Sequence, residues 1–215
     1  MATMPPGVAS CLWLSCSEHV RPVQVLLHSI IFQRALGECG VRDSESDLFD
    51  LAYVQCDSQP ISQQVEAYAE AFSSAVDKAE ATRRAQICVS FVERRSRTSF
   101  GLFRSDEKVI WERWQISLTV RCAEAPVETA AGNISAGSGA TGADTRQRQL
   151  DQLCDELRNR LEVILSTAAS RKEHIPPEKG LCGETAWFEV TSDASDSWSG
   201  LDLFKLGFGR IPRSF

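Results

Sequence analysis

Eight cysteines and three histidines are the side chains of this 215-residue chain best suited to bind metal or act as nucleophiles. No two cysteines form a Cys-x-x-Cys pair, and His19, His28 and His174 do not stand at zinc-finger spacing. Cys154 lies on the apolar stripe of a predicted helix, and other cysteines fall in strand-like runs. We therefore expect buried, reduced thiols that pack as small hydrophobic groups, with no disulfide framework and no metal site.

The patterns of common catalytic sites are also missing from the sequence. The glycine-rich run 132–142 lacks the Gly-Lys-Ser/Thr ending of a phosphate-binding loop, and no Gly-x-Ser-x-Gly motif supplies an acyl-transfer nucleophile. His28 lies within the apolar stripe of a helix and His174 in a turn before two prolines, so both are better explained as structural or interface residues. The sequence predicts no catalytic residue and no cofactor. A small-molecule enzyme is the least favoured alternative, because no acid–base pair is evident.

One segment does combine aromatic and basic residues, the loop predicted between two strands from Glu93 to Glu107. Its apolar residues are Phe100, Leu102 and Phe103, and its arginines are Arg94, Arg95, Arg97 and Arg104. In one interpretation the rings anchor in a partner's pocket or an anionic membrane surface and the arginines form a basic collar. Burying both Phe rings would then contribute about 3–6 kcal/mol. In the other, the rings pack on their own sheet and the arginines are solvated.

Composition narrows the class of protein. A hydrophobic content of 43% and a charged content of 24% are typical of a globular protein, and 215 residues fit one domain, 1–215. The net charge of -6 argues against nonspecific nucleic-acid binding. No stretch approaches the roughly 20 apolar residues that span a bilayer, and the first 16 residues lack the basic start of a signal peptide. We expect a cytoplasmic protein.

Helical periodicity predicts three helices that position these residues. The first opens near Pro22, ends near Gly37 and has Val23, Leu26, Leu27, Ile30 and Ile31 on one face. The second is capped by Asp57 or Ser58, and its stripe is Ile61, Val65, Tyr68, Ala69, Phe72, Val76 and Ala79. The third has the stripe Leu150, Leu153, Leu157, Leu161, Ile164 and Leu165.

Strands are predicted at 10–16, 48–55, 87–92, 114–122 and 187–190, and a last apolar segment lies at 201–208. From Trp114 to Cys122 apolar and polar residues alternate, so one face of that strand should be dry. Residues 123–145 are rich in Ala, Gly, Ser and Thr and predict a flexible insertion. The resulting order, βαβαββαβ, predicts an α+β fold.

Several motifs resemble one family, autophagy-related protein 101, particularly its plant and algal members. They are Leu27-His-Ser-Ile-Ile-Phe-Gln-Arg-Ala-Leu-Gly37, Phe49-Asp-Leu-Ala-Tyr-Val54, Ser105-Asp-Glu-Lys-Val-Ile-Trp-Glu-Arg-Trp114, His174-Ile-Pro-Pro177, Phe188-Glu-Val190 and Ser195-Asp-Ser-Trp-Ser-Gly-Leu-Asp-Leu-Phe-Lys205. The Ser105–Trp114 motif is the most specific match. Together the motifs cover most of the chain outside residues 123–145.

The resemblance implies a HORMA fold, with three helices on a mostly antiparallel sheet, and no catalytic activity. It implies pairing with the HORMA domain of autophagy-related protein 13 within the autophagy-initiation kinase complex, at the site of autophagosome assembly. The family also projects a Trp-Phe finger that recruits downstream factors. In this chain Phe100-Gly-Leu-Phe103 stands in the corresponding loop, which has no Trp. A peripheral membrane-binding module with transient membrane contact and a checkpoint-type HORMA adaptor are the alternatives.

Overall fold

The computed structural model describes residues 11–15, 20–35, 39–47, 50–77, 83–99, 103–121, 142–176 and 186–193. Its elements are β1 (Cys11–Ser15), α1 (Val20–Arg34), β2 (Gly40–Glu45), β3 (Ala52–Asp57), α2 (Gln59–Asp77), β4 (Arg83–Ser99), β5 (Phe103–Arg121), α3 (Gly142–Ser170) and β6 (Ala186–Asp193). This order has one strand more than predicted, β2. Its sequence is mostly polar, and Val41 within it is 66% exposed, so no apolar pattern marks it.

The strands form two sheets. One has four strands in the order β1-β5-β4-β6, and the other is the β2–β3 pair. Only β1 and β5 run parallel among the pairings of the described residues; the others are antiparallel. The prediction of three helices with a mostly antiparallel sheet is confirmed. The strand predicted at 48–55 is displaced, because β3 runs from Ala52 to Asp57.

One face of the four-stranded sheet lines one side of the hydrophobic core. Side chains alternate across a strand, and the buried set on this face is Ile87, Val89, Phe91, Trp114, Ile116, Leu118, Val120, Phe188 and Val190. The alternation predicted from Trp114 onward is therefore confirmed as far as Val120. The opposite face is not uniformly wet, since Thr119 is also buried.

Helix α1 lies at the centre of the protein and contacts α2, α3 and β3. Its predicted apolar stripe is buried, but so are polar residues on its other sides: Gln24, His28 and Ser29. A helix buried all round needs partners for its polar groups, and Ser29 donates to the carbonyl of Val25 at 2.8 Å. The helix ends at Arg34, and the predicted stop at Gly37 lies outside the described residues.

The other two helices pack with one face each. In α2 the predicted stripe is buried from Ile61 to Phe72, while the side chains of Val76 and Ala79 lie outside the described part. The amide of Ser62 donates to the carbonyl of Ser58 at 3.0 Å, so Ser58 occupies the predicted capping position.

In α3, Leu153, Leu157 and Ile164 are buried, but Leu165 is 50% exposed, so its predicted place in the stripe is wrong. One residue advances a helix by about 100°, so Leu165 lies beside the contact surface that Ile164 and Ala168 occupy. The helix begins at Gly142, so the last four residues of the predicted insertion are helical. Residues 122–141 lie outside the described part of the chain, as does the segment 201–208.

The cysteine side chains that the structure describes are largely removed from solvent. Cys56, Cys88 and Cys154 are buried, Cys39 is partly buried, and all four are free of disulfides. Burial raises the pKa of the Cys154 thiol above its ordinary value, which makes it a poor nucleophile. These residues act as packing groups.

Candidate functional site

A two-stranded β-ribbon extends from the four-stranded sheet. Strand β6 pairs with β4 only from Gln86 to Glu93, and β1 pairs with β5 only from Ser117 to Arg121. Among the described strands, Arg94–Ser99 and Phe103–Lys108 therefore pair only with each other. We call these two segments the arm. Six residues at about 3.3 Å each make it roughly 20 Å long.

The arm replaces most of the loop predicted from Glu93 to Glu107, which was too long. Charged and hydroxyl side chains dominate this segment, and such a composition is typical of a loop. The remaining connection is 100–102. It contains two of the three predicted anchor residues, Phe100 and Leu102, which lie outside the described residues.

The pairing register places the predicted site residues that the structure describes along the two strands of the arm. Phe103 is opposite Ser99, and Arg104 is opposite Thr98. The other basic positions follow along the arm, with Arg97 opposite Ser105, Arg95 opposite Glu107 and Arg94 opposite Lys108. The side-chain positions of this basic collar lie outside the described part, so its role in binding remains a prediction.

A β-bulge marks the base of the arm. Glu112 pairs with Phe91 and Ile110 pairs with Val92, which leaves Trp111 as an extra residue on β5. A bulge bends its strand and redirects the side chains on either side of it. The ring of Trp111 packs 5.4 Å from that of Phe91 and 5.9 Å from that of His174, measured between centroids.

Beside the bulge lies a buried ion pair between Arg34 of α1 and Glu112 of β5. Their side chains are 1% and 3% exposed. Arg34 Nη2 donates to Glu112 Oε1 at 2.8 Å and Nε donates to Oε2, which is the two-pronged geometry that suits a guanidinium and a carboxylate. The Arg34 guanidinium also lies 5.6 Å from the centroid of the Trp114 ring, within range of a cation–π contact.

The remaining N–H groups of Arg34 bind backbone carbonyls. Nη1 donates to Gln33 and Ala168 at 3.3 Å each, and Nη2 donates to Arg171 at 3.2 Å. With the two bonds to Glu112, all five guanidinium donors have acceptors. Ala168 belongs to the last turn of α3 and Arg171 follows that helix, so Arg34 caps carbonyls that a helix end leaves unpaired.

His174 completes this group, which we call the Arg34 cluster: Arg34, Trp111, Glu112, Trp114 and His174. His174 Nε2 lies 3.3 Å from Glu112 Oε1, and its side chain is 33% exposed. The cluster unites one residue or more from three of the family-like motifs, those beginning at Leu27, Ser105 and His174. These motifs are far apart in sequence, and the fold brings their polar residues to one point.

The sequence motifs contain these residues, but the ion pair itself was not predicted. The periodicity of the two elements nevertheless indicates that both residues are buried. Arg34 stands seven residues after Leu27 and four after Ile30, on the buried side of α1. Glu112 has the same parity as Trp114 and Ile116, on the dry face of β5. A cation and an anion, each in phase with a buried stripe, predict a buried pair.

His28 is another buried titratable residue, outside the Arg34 cluster. Its ring lies 6.1 Å from that of Tyr53 between centroids, and its Nδ1 is buried without a hydrogen-bond partner. Burial lowers the pKa of His28 from 6.5 to about 4, so the imidazole is neutral near pH 7. Such a group packs against the core more readily than it transfers protons at neutral pH.

Within the described residues, no group of three or more His, Cys, Asp or Glu side chains is placed to hold a metal ion. None of the helices in this part of the chain combines the length and apolar character needed to cross a bilayer.

The fold and the site thus define an α+β protein with a projecting β-arm and a buried, hydrogen-bonded Arg34–Glu112 ion pair at the arm's base. The family model described as autophagy-related protein 101 matches residues 17–179. Autophagy-related protein 101 of Arabidopsis thaliana is 30% identical over 189 residues, which cover 85% of this chain and 85% of the relative. This chain belongs to the autophagy-related protein 101 family, as its motifs predicted. Its three helices and mostly antiparallel sheets are the HORMA-like α+β architecture expected from that resemblance.

Proposed function

We propose that this protein is a non-enzymatic scaffold of the autophagy-initiation kinase complex. In this proposal it pairs with the HORMA domain of autophagy-related protein 13 and recruits downstream factors through the tip of its arm. It acts in the cytoplasm and is recruited to the site of autophagosome assembly. Membership of the autophagy-related protein 101 family supports a role in autophagy. The arm supports the proposal that the protein acts by binding partners.

The arm is the observation that carries the proposal. A ribbon of two strands has marginal stability by itself in water, so an arm of this length contributes little to the fold. Its strands extend to Ser99 and Phe103, beyond the last pairing of β6 with β4, and the sequence Phe100-Gly-Leu connects them. In this proposal the aromatic residues at that connection fill a pocket on a partner.

The non-enzymatic part of the proposal is supported by how the buried titratable residues are used. Arg34 donates hydrogen bonds to Glu112 and to a backbone carbonyl at the end of α3. His174 contacts the ring of Trp111 and the carboxylate of Glu112. His28 is neutral and enclosed by the core. Arg34, Glu112 and His174 thus make contacts that account for their positions.

The test is a double substitution at the tip, Phe100→Ala with Phe103→Ala, compared with Val41→Ala. Val41 is an exposed apolar residue on β2, outside the arm, and serves as the matched control. Tagged proteins are used to capture partners from plant or algal cytosol, and bound proteins are identified by mass spectrometry. Wild type and control should recover autophagy-related protein 13 and downstream factors, whereas the double variant should retain the former and lose the latter.

Thermal melting separates binding from folding in this experiment. The double variant should melt with the wild type, because residues outside the core contribute little to stability. A large fall in melting temperature would mean that the rings belong to the core and that the arm's tip is not a binding site. Failure of the wild type to capture autophagy-related protein 13 would contradict the pairing.

The arginines at four arm positions favour a membrane surface as the second candidate ligand. Sedimentation with vesicles of anionic lipid, at rising salt, tests this function. Salt-sensitive binding that is lost when Arg94, Arg95, Arg97 and Arg104 are replaced by Gln would support it. Absence of sedimentation would leave the protein partner as the arm's target.

A further inference from the structure

Described side chains at the base of the arm contact the rest of the protein on both faces of the sheet. On one side, Lys108 forms an ion pair with Glu189 of β6. On the other, Trp111 and Glu112 contact His174 and Arg34. Beyond these residues, toward the tip, the described strands of the arm pair only with one another. These contacts lie where the arm leaves the four-stranded sheet.

The Arg34 cluster links this base to the end of α3. Arg34 holds Glu112 with two N–H groups and the carbonyls of Ala168 and Arg171 with two others. His174 lies in the turn after α3 and contacts Trp111 and Glu112 of β5. Because the same guanidinium binds both elements, a displacement of the arm's base must strain the contacts at the end of α3.

We propose that the Arg34 cluster is a clamp that sets the orientation of the arm and couples it to the turn at residues 171–176. Arg34 and Glu112 form its permanent part, since both are almost fully buried and both carboxylate oxygens of Glu112 accept hydrogen bonds from Arg34. His174 is its release point, because it is a third exposed and holds the turn to the bulge through one polar contact and one ring contact. The consequence for recruitment rests on the function proposed for the arm.

Hydrogen–deuterium exchange of the full chain tests the clamp without any partner. The variant is His174→Ala, and the matched control is Lys172→Ala, which changes an exposed residue of the same turn. Loss of the His174 contacts should make exchange about tenfold faster in peptides covering 103–112 and 171–176, because local opening sets the exchange rate. Peptides from α2 should exchange as in the wild type, and the control should match the wild type throughout.

Two results with His174→Ala would overturn the clamp. One is unchanged exchange of the arm in His174→Ala, which would mean that the arm is held independently of the α3 end. The other is faster exchange throughout the protein, α2 included, which would give His174 a role in global stability only. If the paired substitution Arg34→Met with Glu112→Leu leaves the arm as protected as in wild type, the permanent part of the clamp is likewise contradicted.

Capture of partners by the same His174→Ala protein separates this inference from the proposed function. Faster exchange of the arm together with weaker recovery of downstream factors, at unchanged recovery of autophagy-related protein 13, supports both. Faster exchange with unchanged recovery of all partners supports the clamp and contradicts recruitment through the arm.

Discussion

Arg34 illustrates the conditions under which a charged residue is tolerated in the core. Transfer of a guanidinium from water costs several kcal/mol, and this cost is offset only when a counterion and enough acceptors are present. Arg34 meets both conditions, with Glu112 as counterion and three backbone carbonyls as further acceptors. The ion pair is therefore more important for fixing how α1, β5 and the end of α3 pack together than for net stability.

Substitution of Arg34 alone should destabilise the protein, because it leaves the charge of Glu112 buried and unpaired. We expect Arg34→Met to lower the free energy of unfolding by about 3–5 kcal/mol, because Glu112 would remain buried without a counterion. Equilibrium unfolding in urea measures the loss. Arg158→Met is a suitable control, since Arg158 is an exposed arginine of α3 that pairs with Asp155.

The double variant Arg34→Met with Glu112→Leu should recover most of the lost stability, because it removes both charges and keeps apolar volume. A double variant as unstable as the sum of its single substitutions would show that the two residues do not interact energetically.

His28 predicts a pH dependence of stability. Its pKa is about 4 in the folded protein and 6.5 in an ordinary peptide, so below pH 6.5 the unfolded chain binds a proton that the folded protein does not. The contribution of neutral His28 is fully present above pH 6.5 and is lost as the pH falls toward 4. The loss amounts to about 3 kcal/mol at the lower limit.

Urea unfolding of wild type and His28→Leu from pH 7 to pH 4 tests this expectation. Other groups titrate in both proteins, so the informative quantity is the difference between the two curves. The difference should shift in favour of the variant as the pH falls. Parallel curves over this range would mean that His28 is protonated in the folded protein as readily as in the unfolded chain.

Helix α3 provides a test of packing within one element. Leu157 and Leu165 both belong to the stripe predicted from periodicity, but only Leu157 is fully buried. Leu157→Ala should lower the free energy of unfolding by about 2–5 kcal/mol, because it leaves a cavity in the core. Leu165→Ala should change it by no more than about 0.5 kcal/mol. Thermal and urea unfolding of the two variants make the comparison, and equal losses would contradict the position of Leu165.

Strand β5 serves two parts of the protein, and the bulge at Trp111 divides them. Its C-terminal part, from Trp114 to Val120, covers the core, while its N-terminal part forms half of the arm. A bulge changes which residues share a face, so the strand can satisfy a buried pattern in one part and a polar pattern in the other. This explains why one continuous strand is read from sequence as a loop followed by a strand.

The central position of α1 predicts that the whole molecule unfolds cooperatively. It contacts both other helices and β3, and its side chains share one core cluster with residues of the four-stranded sheet. We expect a single cooperative unfolding transition, with coincident changes in circular dichroism and in tryptophan fluorescence. Ile30→Ala, at the centre of α1, should lower both midpoints equally. Two separate transitions would contradict the prediction that residues 1–215 form one domain.

The success of the sequence predictions follows the strength of the local signal. The buried stripes of α1 and α2, the dry face of β5 and the strand at β6 were all predictable, because burial of one face leaves a periodic apolar pattern. Strand β2 was missed because its exposed polar residues leave no such pattern. The anchor residues Phe100 and Leu102 and the basic collar were predicted from composition, which does not specify side-chain positions.

From the sequence alone came the α+β class, the three helices, the reduced state expected for the buried cysteines and the family to which the chain belongs. Each of these depends on local pattern or on short motifs, which folding does not alter. Tertiary structure decided that Glu93–Glu107 is largely an arm, and that Arg34, Glu112 and His174 meet at its base. Such contacts join residues up to 137 positions apart in the chain, as between Arg34 and Arg171, and depend on the packing of whole elements.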